Sequence, residues 1–106
     1  MLGINKQAGL YMSPVNWGEV VHYALRTRGS KRFAEGLKAT LPVTFPQIDV
    51  SDAGMAAEVK FKSKLPYADA FAASLAEKLS ATLVTADYDF KVLSSSLQIE
   101  FLPQKP

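Results

Sequence analysis

The sequence predicts an α/β domain, a three-layer α/β/α sandwich with a mainly parallel sheet. Strand-like and helix-like segments alternate along the chain, the order that produces parallel strands joined by helices. Residues 81–86 form a short, mostly apolar run bounded by breaks, as expected of a strand buried on both faces. The chain has 106 residues, enough for one small domain covering 1–106.

The first third of the chain predicts one strand and two helices. Residues 9–13 are a short strand candidate. Ser13 and Pro14 then supply an N-cap and a first helical residue, and Gly29 is a stop signal for that helix. Ser30 caps a second helix that runs to about residue 41. The apolar spacing of the first helix comes from Val15, Val20, Tyr23 and Ala24, and the positions expected to face inward in the second are Phe33, Leu37 and Leu41. The aromatic residues among them, Tyr23 and Phe33, are expected in the core or at an interface.

The middle of the chain predicts an irregular strand and two more helices. Residues 43–50 look like a strand, although Pro46 marks it as an edge strand or an interrupted one. Ser51 and Asp52 form an N-cap pair opening a helix to about residue 63. Leu65 and Pro66 start the next helix, whose apolar face is Phe71, Leu75 and Leu79.

The C-terminal part predicts a βαβ-like ending. The buried strand at 81–86 leads into a short helix or turn at 87–94. Residues 97–102 alternate apolar and polar, which favours a final strand.

Composition excludes several kinds of chemistry. With no cysteine there are no disulfides, cysteine zinc sites or cysteine nucleophiles, and we expect a cytoplasmic protein. No segment reads as a signal peptide or is apolar enough to cross a bilayer, so no membrane partner is expected. The net charge of +2 is compatible with a nucleic-acid partner without requiring one.

Three acids occupy positions where they can converge. Asp87 follows the buried strand, and Asp69 and Glu19 lie early in helices that leave the same side of the sheet. Sites in open α/β sheets lie outside the carboxyl ends of the strands. Carboxylates held close together repel one another, and a hard cation such as Mg²⁺ relieves that repulsion through oxygen ligands. The arrangement therefore predicts a metal site for phosphodiester chemistry.

Each acid also has a structural explanation. Asp69 in the first turn of a helix is favoured by the helix dipole. Asp87 can cap the helix that follows it, and Asp89 competes for that role. Glu19 can be a solvated helix residue.

Other polar residues carry weaker signals. Thr85 is either a site hydroxyl or simply a β-former, and Asn16 either orients Glu19 or lies near the cap. His22, the single histidine, is expected on the surface. Two basic runs are usually solvated faces and are possible RNA contacts; they comprise Arg26, Arg28, Lys31 and Arg32, and then Lys60, Lys62 and Lys64.

Three segments together resemble the PIN domain family, in particular the VapC-type toxins of toxin–antitoxin pairs. They are MSPVNWGEV (12–20), LPYADA (65–70) and ATLVTADYDF (81–90), in the family's order and rough spacing. The resemblance places the catalytic and metal-binding acids on Glu19, Asp69 and Asp87, with Thr85 as the accompanying hydroxyl. It implies Mg²⁺- or Mn²⁺-dependent cleavage of single-stranded RNA, a cognate antitoxin protein as partner, and a homo-oligomer.

One departure from the family bears on activity and assembly. A PIN domain opens with a strand ending in a catalytic Asp, whereas residues 1–8 look like the end of the family's second helix. We therefore expect an N-terminally truncated domain that lacks its first acid and central strand. Its nuclease activity should be impaired, and strand 81–86 should expose apolar surface that drives association. The alternative is a non-catalytic PIN remnant that acts as a dimerisation or antitoxin-binding module.

Overall fold

The computed structural model describes residues 3–6, 9–85 and 87–103. Within these ranges the chain forms a five-stranded sheet, four α-helices and one 3₁₀ helix. In chain order they are β1 (Gly3–Lys6), β2 (Gly9–Tyr11), α1 (Pro14–Arg28), α2 (Arg32–Thr40), β3 (Val43–Thr44), α3 (Val50–Ser63), α4 (Tyr67–Lys78), β4 (Thr82–Thr85), the 3₁₀ helix (Tyr88–Leu93) and β5 (Ile99–Phe101).

The predicted α/β class is confirmed, but the sheet is mixed instead of mainly parallel. Its strand order is β3-β2-β1-β4-β5. β1 runs antiparallel to both β2 and β4, whereas the β2–β3 and β4–β5 pairs are parallel. Only two residues separate β1 from β2, and a parallel crossover needs a dozen or more. The short connection therefore requires the antiparallel pairing.

The interpretation of residues 1–8 as the end of a helix is wrong for the part that is described. Residues 3–6 form the central strand, and residues 1, 2, 7 and 8 lie outside the described residues. Ile4 is 1% exposed and pairs with Leu83 of β4 and Tyr11 of β2. β4 consequently has a partner on each side, so the expected unpaired edge beside it does not exist.

The other strand predictions hold with shorter bounds. The segments near 82–86 and 98–102 form β4 and β5, which pair in parallel; residue 86 lies outside the described residues. The segment 43–50 contributes only Val43–Thr44, at the edge of the sheet. Pro46 comes two residues after Thr44 and has no backbone N–H for a ladder bond, so the strand cannot continue through it.

Helix α1 begins and ends as the sequence predicts. The Ser13 hydroxyl accepts a hydrogen bond from the Val15 N–H at 3.1 Å, and Pro14 is the first helical residue. Gly29 ends the helix in the left-handed region at φ 67°. Such a conformation strains most residues with a Cβ but not glycine.

Two other helix starts lie slightly away from their predicted positions. The cap of α3 is Asp49, so the pair Ser51 and Asp52 does not open this helix. Asp49 and Asp52 form a capping box in which each side chain accepts the other's backbone N–H, at 3.1 and 2.9 Å. Ser30 does accept the Arg32 N–H at 3.1 Å, one residue before the N-cap position of α2.

Helix α4 is the centre of the core. Every residue from Ala70 to Ala76 is buried, and the helix packs on the sheet face that carries Ile4 and Leu83. The many alanines of α4 allow α3 and the sheet to approach this helix closely. This packing fixes the position of the first turn of α4, which contains Asp69. No helix in the described ranges is long and apolar enough to cross a membrane.

Candidate active site

Asp69 lies in the first turn of α4, where it is half-buried. Burial raises the pKa of its carboxyl, and the negative charges of Asp87, Glu19 and Asp89 raise it further. The N-terminal end of a helix normally favours a carboxylate. The upward direction of the pKa therefore shows that burial and like charges dominate at this position.

Glu19 and Asp69 line one cavity although they lie on different helices. Glu19 is an exposed residue of α1, five residues after Pro14. The cavity has a volume of about 400 Å³ and is bordered by α1, α2 and the first turn of α4. The fold thus brings these two acids to the same opening from positions fifty residues apart in sequence.

Asp87 follows β4 by two residues and does not line this cavity, but its charge contributes to the raised pKa of Asp69. Its carboxylate Oδ1 accepts the Asp89 N–H at 2.9 Å, so Asp87 caps the 3₁₀ helix and Asp89 does not. The Thr85 hydroxyl accepts the Asp87 N–H at 3.0 Å, while the Thr85 side chain is buried on the core side of the sheet. Thr85 therefore fixes the turn that presents Asp87.

Asn16 connects the two helices that carry the acids. Its Nδ2 donates a hydrogen bond to the carbonyl of Ala68 at 3.0 Å. Ala68 directly precedes Asp69 in the chain, and Asn16 lies one helical turn before Glu19 on α1. Asn16 is 6% exposed, and its Oδ1 has no hydrogen-bond partner within the described part of the chain. An unpaired buried acceptor costs about 1–3 kcal/mol. Asn16 also lines the cavity with Glu19 and Asp69, so a group bound there could supply the missing partner.

The rest of the cavity wall is apolar and aromatic. It consists of Val20, Tyr23, Phe33 and Leu37. Tyr23 and Phe33, expected in the core or at an interface, are not core residues, since they are 50% and 38% exposed. Apolar spacing on a helix cannot distinguish a residue facing the core from one facing an open cavity, so no local pattern in the sequence identifies these walls.

Cations flank the aromatic residues of the wall. The guanidinium carbon of Arg28 lies 4.4 Å from the centroid of the Phe33 ring, and that of Arg26 lies 6.0 Å from the centroid of the Tyr23 ring. Both arginines are exposed on the last turn of α1. The opening therefore has carboxylates on one side and guanidinium groups on another.

The donor set of this region fits a hard divalent cation. It offers carboxylate oxygens whose mutual repulsion a cation would relieve. Among residues 3–6, 9–85 and 87–103, no three histidine, aspartate or glutamate side chains lie close enough to hold one ion together. Mg²⁺ is commonly held by one or two carboxylates and several waters, so the set suffices without a three-carboxylate cage.

Comparison with known proteins identifies the family. No curated protein and no solved structure matches the chain significantly. The family model described as PIN domain matches residues 3–95, nearly the whole sequence. The match includes β1, so the described central strand is part of the family-like region. The chain therefore belongs to the PIN domain family, whose members are usually nucleases and typically depend on a divalent metal.

Proposed function

We propose that this chain is a metal-dependent endoribonuclease in which one or two of the carboxylates of Glu19, Asp69 and Asp87, together with several waters, hold Mg²⁺ or Mn²⁺. The observation that carries this proposal is that Glu19 and Asp69, which lie on different helices, line one cavity. The pKa of Asp69 supports it, since that pKa is raised by burial and by the like charges of Asp87, Glu19 and Asp89. Carboxyl groups with a perturbed pKa beside a cavity are candidates for functional sites.

The residues of the candidate site have different roles in the proposed reaction. The carboxylates of Glu19, Asp69 and Asp87 are the groups that would hold a cation, which would polarise a phosphoryl oxygen and lower the pKa of a water molecule. Asp69 and Glu19 border the cavity at which the phosphodiester would lie. Thr85 holds the turn of Asp87, and Asn16 holds the first turn of α4 against α1. These two polar contacts set the spacing of the acids before substrate arrives.

The finer assignment is to the toxin of a toxin–antitoxin pair, inhibited by a cognate antitoxin protein and associating with itself. It rests on the VapC-like motifs around Glu19, Asp69 and Asp87. The sequence of β1, GINK, contributes no acid, so slow cleavage by the chain alone is part of the proposal. Light scattering at low micromolar concentration tests the association, since a single 11.6 kDa species would contradict it.

Cleavage of a fluorescent single-stranded RNA tests the catalytic proposal. We expect cleavage with Mn²⁺ or Mg²⁺, none with excess chelator, and none by Asp69→Asn. Glu58→Gln removes an exposed acid of α3 that does not line the site cavity and serves as the matched control. Equal cleavage by wild type and Asp69→Asn would contradict the proposal.

A thermal-shift titration tests metal binding without requiring turnover. Mn²⁺ at 100 times its Kd stabilises the protein that binds it by about 2.7 kcal/mol. We expect a concentration-dependent rise in melting temperature for wild type and Glu58→Gln, and a much smaller one for Asp69→Asn. A rise of the same size in all three proteins would place the ion elsewhere.

The second candidate function is a non-catalytic PIN module that binds a partner protein or another copy of itself. It is favoured by the absence, within the residues that the structure describes, of three acids close enough to hold one ion. A folded wild-type protein that neither cleaves RNA nor gains stability from Mn²⁺ would support this alternative over the nuclease.

A further inference from the structure

We propose that the cavity between α1 and α2 is a base-binding subsite, which takes one nucleobase of the RNA strand next to the phosphate held at the carboxylates. The inference deepens the proposed nuclease function and rests on it. The cavity has about 400 Å³ of space, within the range of small-molecule sites, about 300–1,000 Å³. It is continuous with the acids, since Glu19 and Asp69 form part of its wall.

The aromatic residues supply the surface that a base requires. Tyr23 and Phe33 line the cavity and are 50% and 38% exposed, so their rings are accessible without unfolding. Proteins that bind single-stranded nucleic acid stack bases on aromatic side chains, because every base has a π-face. Val20 and Leu37 complete the wall with apolar contacts suited to a flat heterocycle.

The charges around the opening determine where the base and the phosphate of a nucleotide can bind. The carboxylates of Glu19 and Asp69 repel a phosphate unless a cation lies between them. The neutral base is therefore the part of the nucleotide that can enter the cavity beside them. Arg26 and Arg28 are exposed next to the aromatic rings. They provide positive charge for a neighbouring phosphate and cation–π support for the stack.

The occupant is a base and not an acidic peptide, for an electrostatic reason. An acidic segment entering the cavity would meet the carboxylates of Glu19 and Asp69, both of which line it, and like charges would repel one another. A base carries no charge at neutral pH and makes its main contact through its π-face. Continuity with the acids also places it within one nucleotide of the proposed scissile phosphate.

Binding of 2-aminopurine riboside tests the subsite without metal or cleavage, because this nucleoside has no phosphate. Stacking quenches its fluorescence. We expect saturable quenching by wild type, competed by adenosine and not by ribose 5-phosphate. Tyr23→Ala and Phe33→Ala should each bind about 5- to 100-fold more weakly. Tyr23→Phe should bind like wild type. Phe61→Ala is the matched control, since Phe61 is an 85% exposed aromatic residue of α3 that does not line the cavity.

The outcomes separate this inference from the nuclease proposal. Circular dichroism confirms that each variant is folded. Quenching absent in wild type, or unchanged in both folded alanine variants, overturns the subsite. RNA cleavage with an unchanged KM in those variants also overturns it while leaving the nuclease standing. Saturable, Phe33-dependent quenching supports the subsite, and if it comes without any metal-dependent cleavage the nuclease proposal alone fails.

Discussion

The carboxylates at the two ends of helix α4 have pKa values that are shifted in opposite directions. At its C-terminal end, Lys78 forms an ion pair with the buried carboxylate of Asp52 on α3, with Nζ 2.8 Å from Oδ1. At its N-terminal end, the Asp69 carboxylate is surrounded by the charges of Asp87, Glu19 and Asp89. The hydrogen bond from Lys78 and then the backbone N–H of Asp49 lower the pKa of Asp52, whereas burial and like charges raise that of Asp69.

The difference teaches what each end contributes. Asp52 also closes the capping box with Asp49, so its charge is compensated within the folded chain and serves stability. The charge of Asp69 is opposed by its neighbours, and in the proposed function a bound cation would compensate it. Helix α4 thus has a carboxylate that stabilises the fold, Asp52, beside its C-terminal end, and a carboxylate whose charge is not compensated, Asp69, at its N-terminal end.

Removing the charge of Asp69 should produce the largest effect on activity. We expect Asp69→Asn to reduce metal-dependent RNA cleavage by at least about 100-fold, because the cation supplies several kcal/mol of transition-state stabilisation. The same change should raise the melting temperature in metal-free buffer, since the repulsion disappears. Single-turnover kinetics and thermal denaturation measure the two effects. A variant that is both less active and less stable would mean that Asp69 serves the fold as Asp52 does.

Releasing the first turn of α4 from α1 should have a smaller effect on activity. Asn16→Leu conserves size but removes the donor to the Ala68 carbonyl. That carbonyl keeps its intrahelical partner at position i+4, so little stability should be lost. We expect roughly tenfold slower cleavage and weaker Mn²⁺ binding, as for other residues that orient ligands.

The control for Asn16 is Thr40→Val. This variant removes the Thr40 hydroxyl bond to the Gly36 carbonyl on α2, away from the acids. If Asn16→Leu lowers melting temperature while leaving Mn²⁺ affinity and cleavage unchanged, Asn16 has only a structural role.

Breaking the pair at the other end of α4 should affect stability alone. Asp52→Ala removes the partner of Lys78 and one half of the capping box. We expect the melting temperature to fall on the order of 5 °C, with cleavage per folded molecule unchanged. Glu58→Ala, an exposed acid on the same helix, should change the melting temperature little. Loss of Mn²⁺ binding in folded Asp52→Ala would show that the two ends of α4 are coupled.

The smallest expected effect is a pair of opposite pH dependences. The stability from Asp52, whose folded-state pKa is lowered, is present above the ordinary carboxyl pKa of about 3.9 and is lost as pH falls through the folded value. Asp69 has a raised folded-state pKa. Its neutral form is favoured in the native state, so stability is lost as pH rises from about 3.9 through the folded value.

Melting curves between pH 3 and pH 7 in metal-free buffer measure these slopes. We expect Asp69→Asn to become relatively more stable than wild type as pH rises. Asp52→Ala should approach wild type as pH falls. Parallel curves for wild type and Asp69→Asn across this range would contradict the raised pKa of Asp69.

Local signals in the sequence were sufficient for much of the fold. Ser13, Pro14 and Gly29 specify the ends of α1 through their own backbone and side-chain chemistry. The apolar run at 81–86 contains β4, but this strand is fully buried on one face only, at Leu83 and Thr85, and not on both faces as predicted. The sequence does not predict the strand at residues 3–6, because the segment GINK has neither a helical nor a strand pattern of apolar residues. Only the ladder with β2 and β4 makes this segment a strand, and that pairing depends on partners up to eighty residues away.

Some features of the candidate site are likewise local in sequence, and others depend on tertiary packing. By itself the sequence determined which acids exist and that Glu19, Asp69 and Asp87 lie near the ends of helices or strands, since caps, turns and short-range spacing are local properties. Tertiary structure alone decided that Asn16 contacts Ala68 and that Tyr23 and Phe33 face an opening shared with two acids. It also decided that Asp52 is paired and Asp69 is not relieved of repulsion. Burial and charge neighbours depend on how distant helices pack, and no local pattern contains that information.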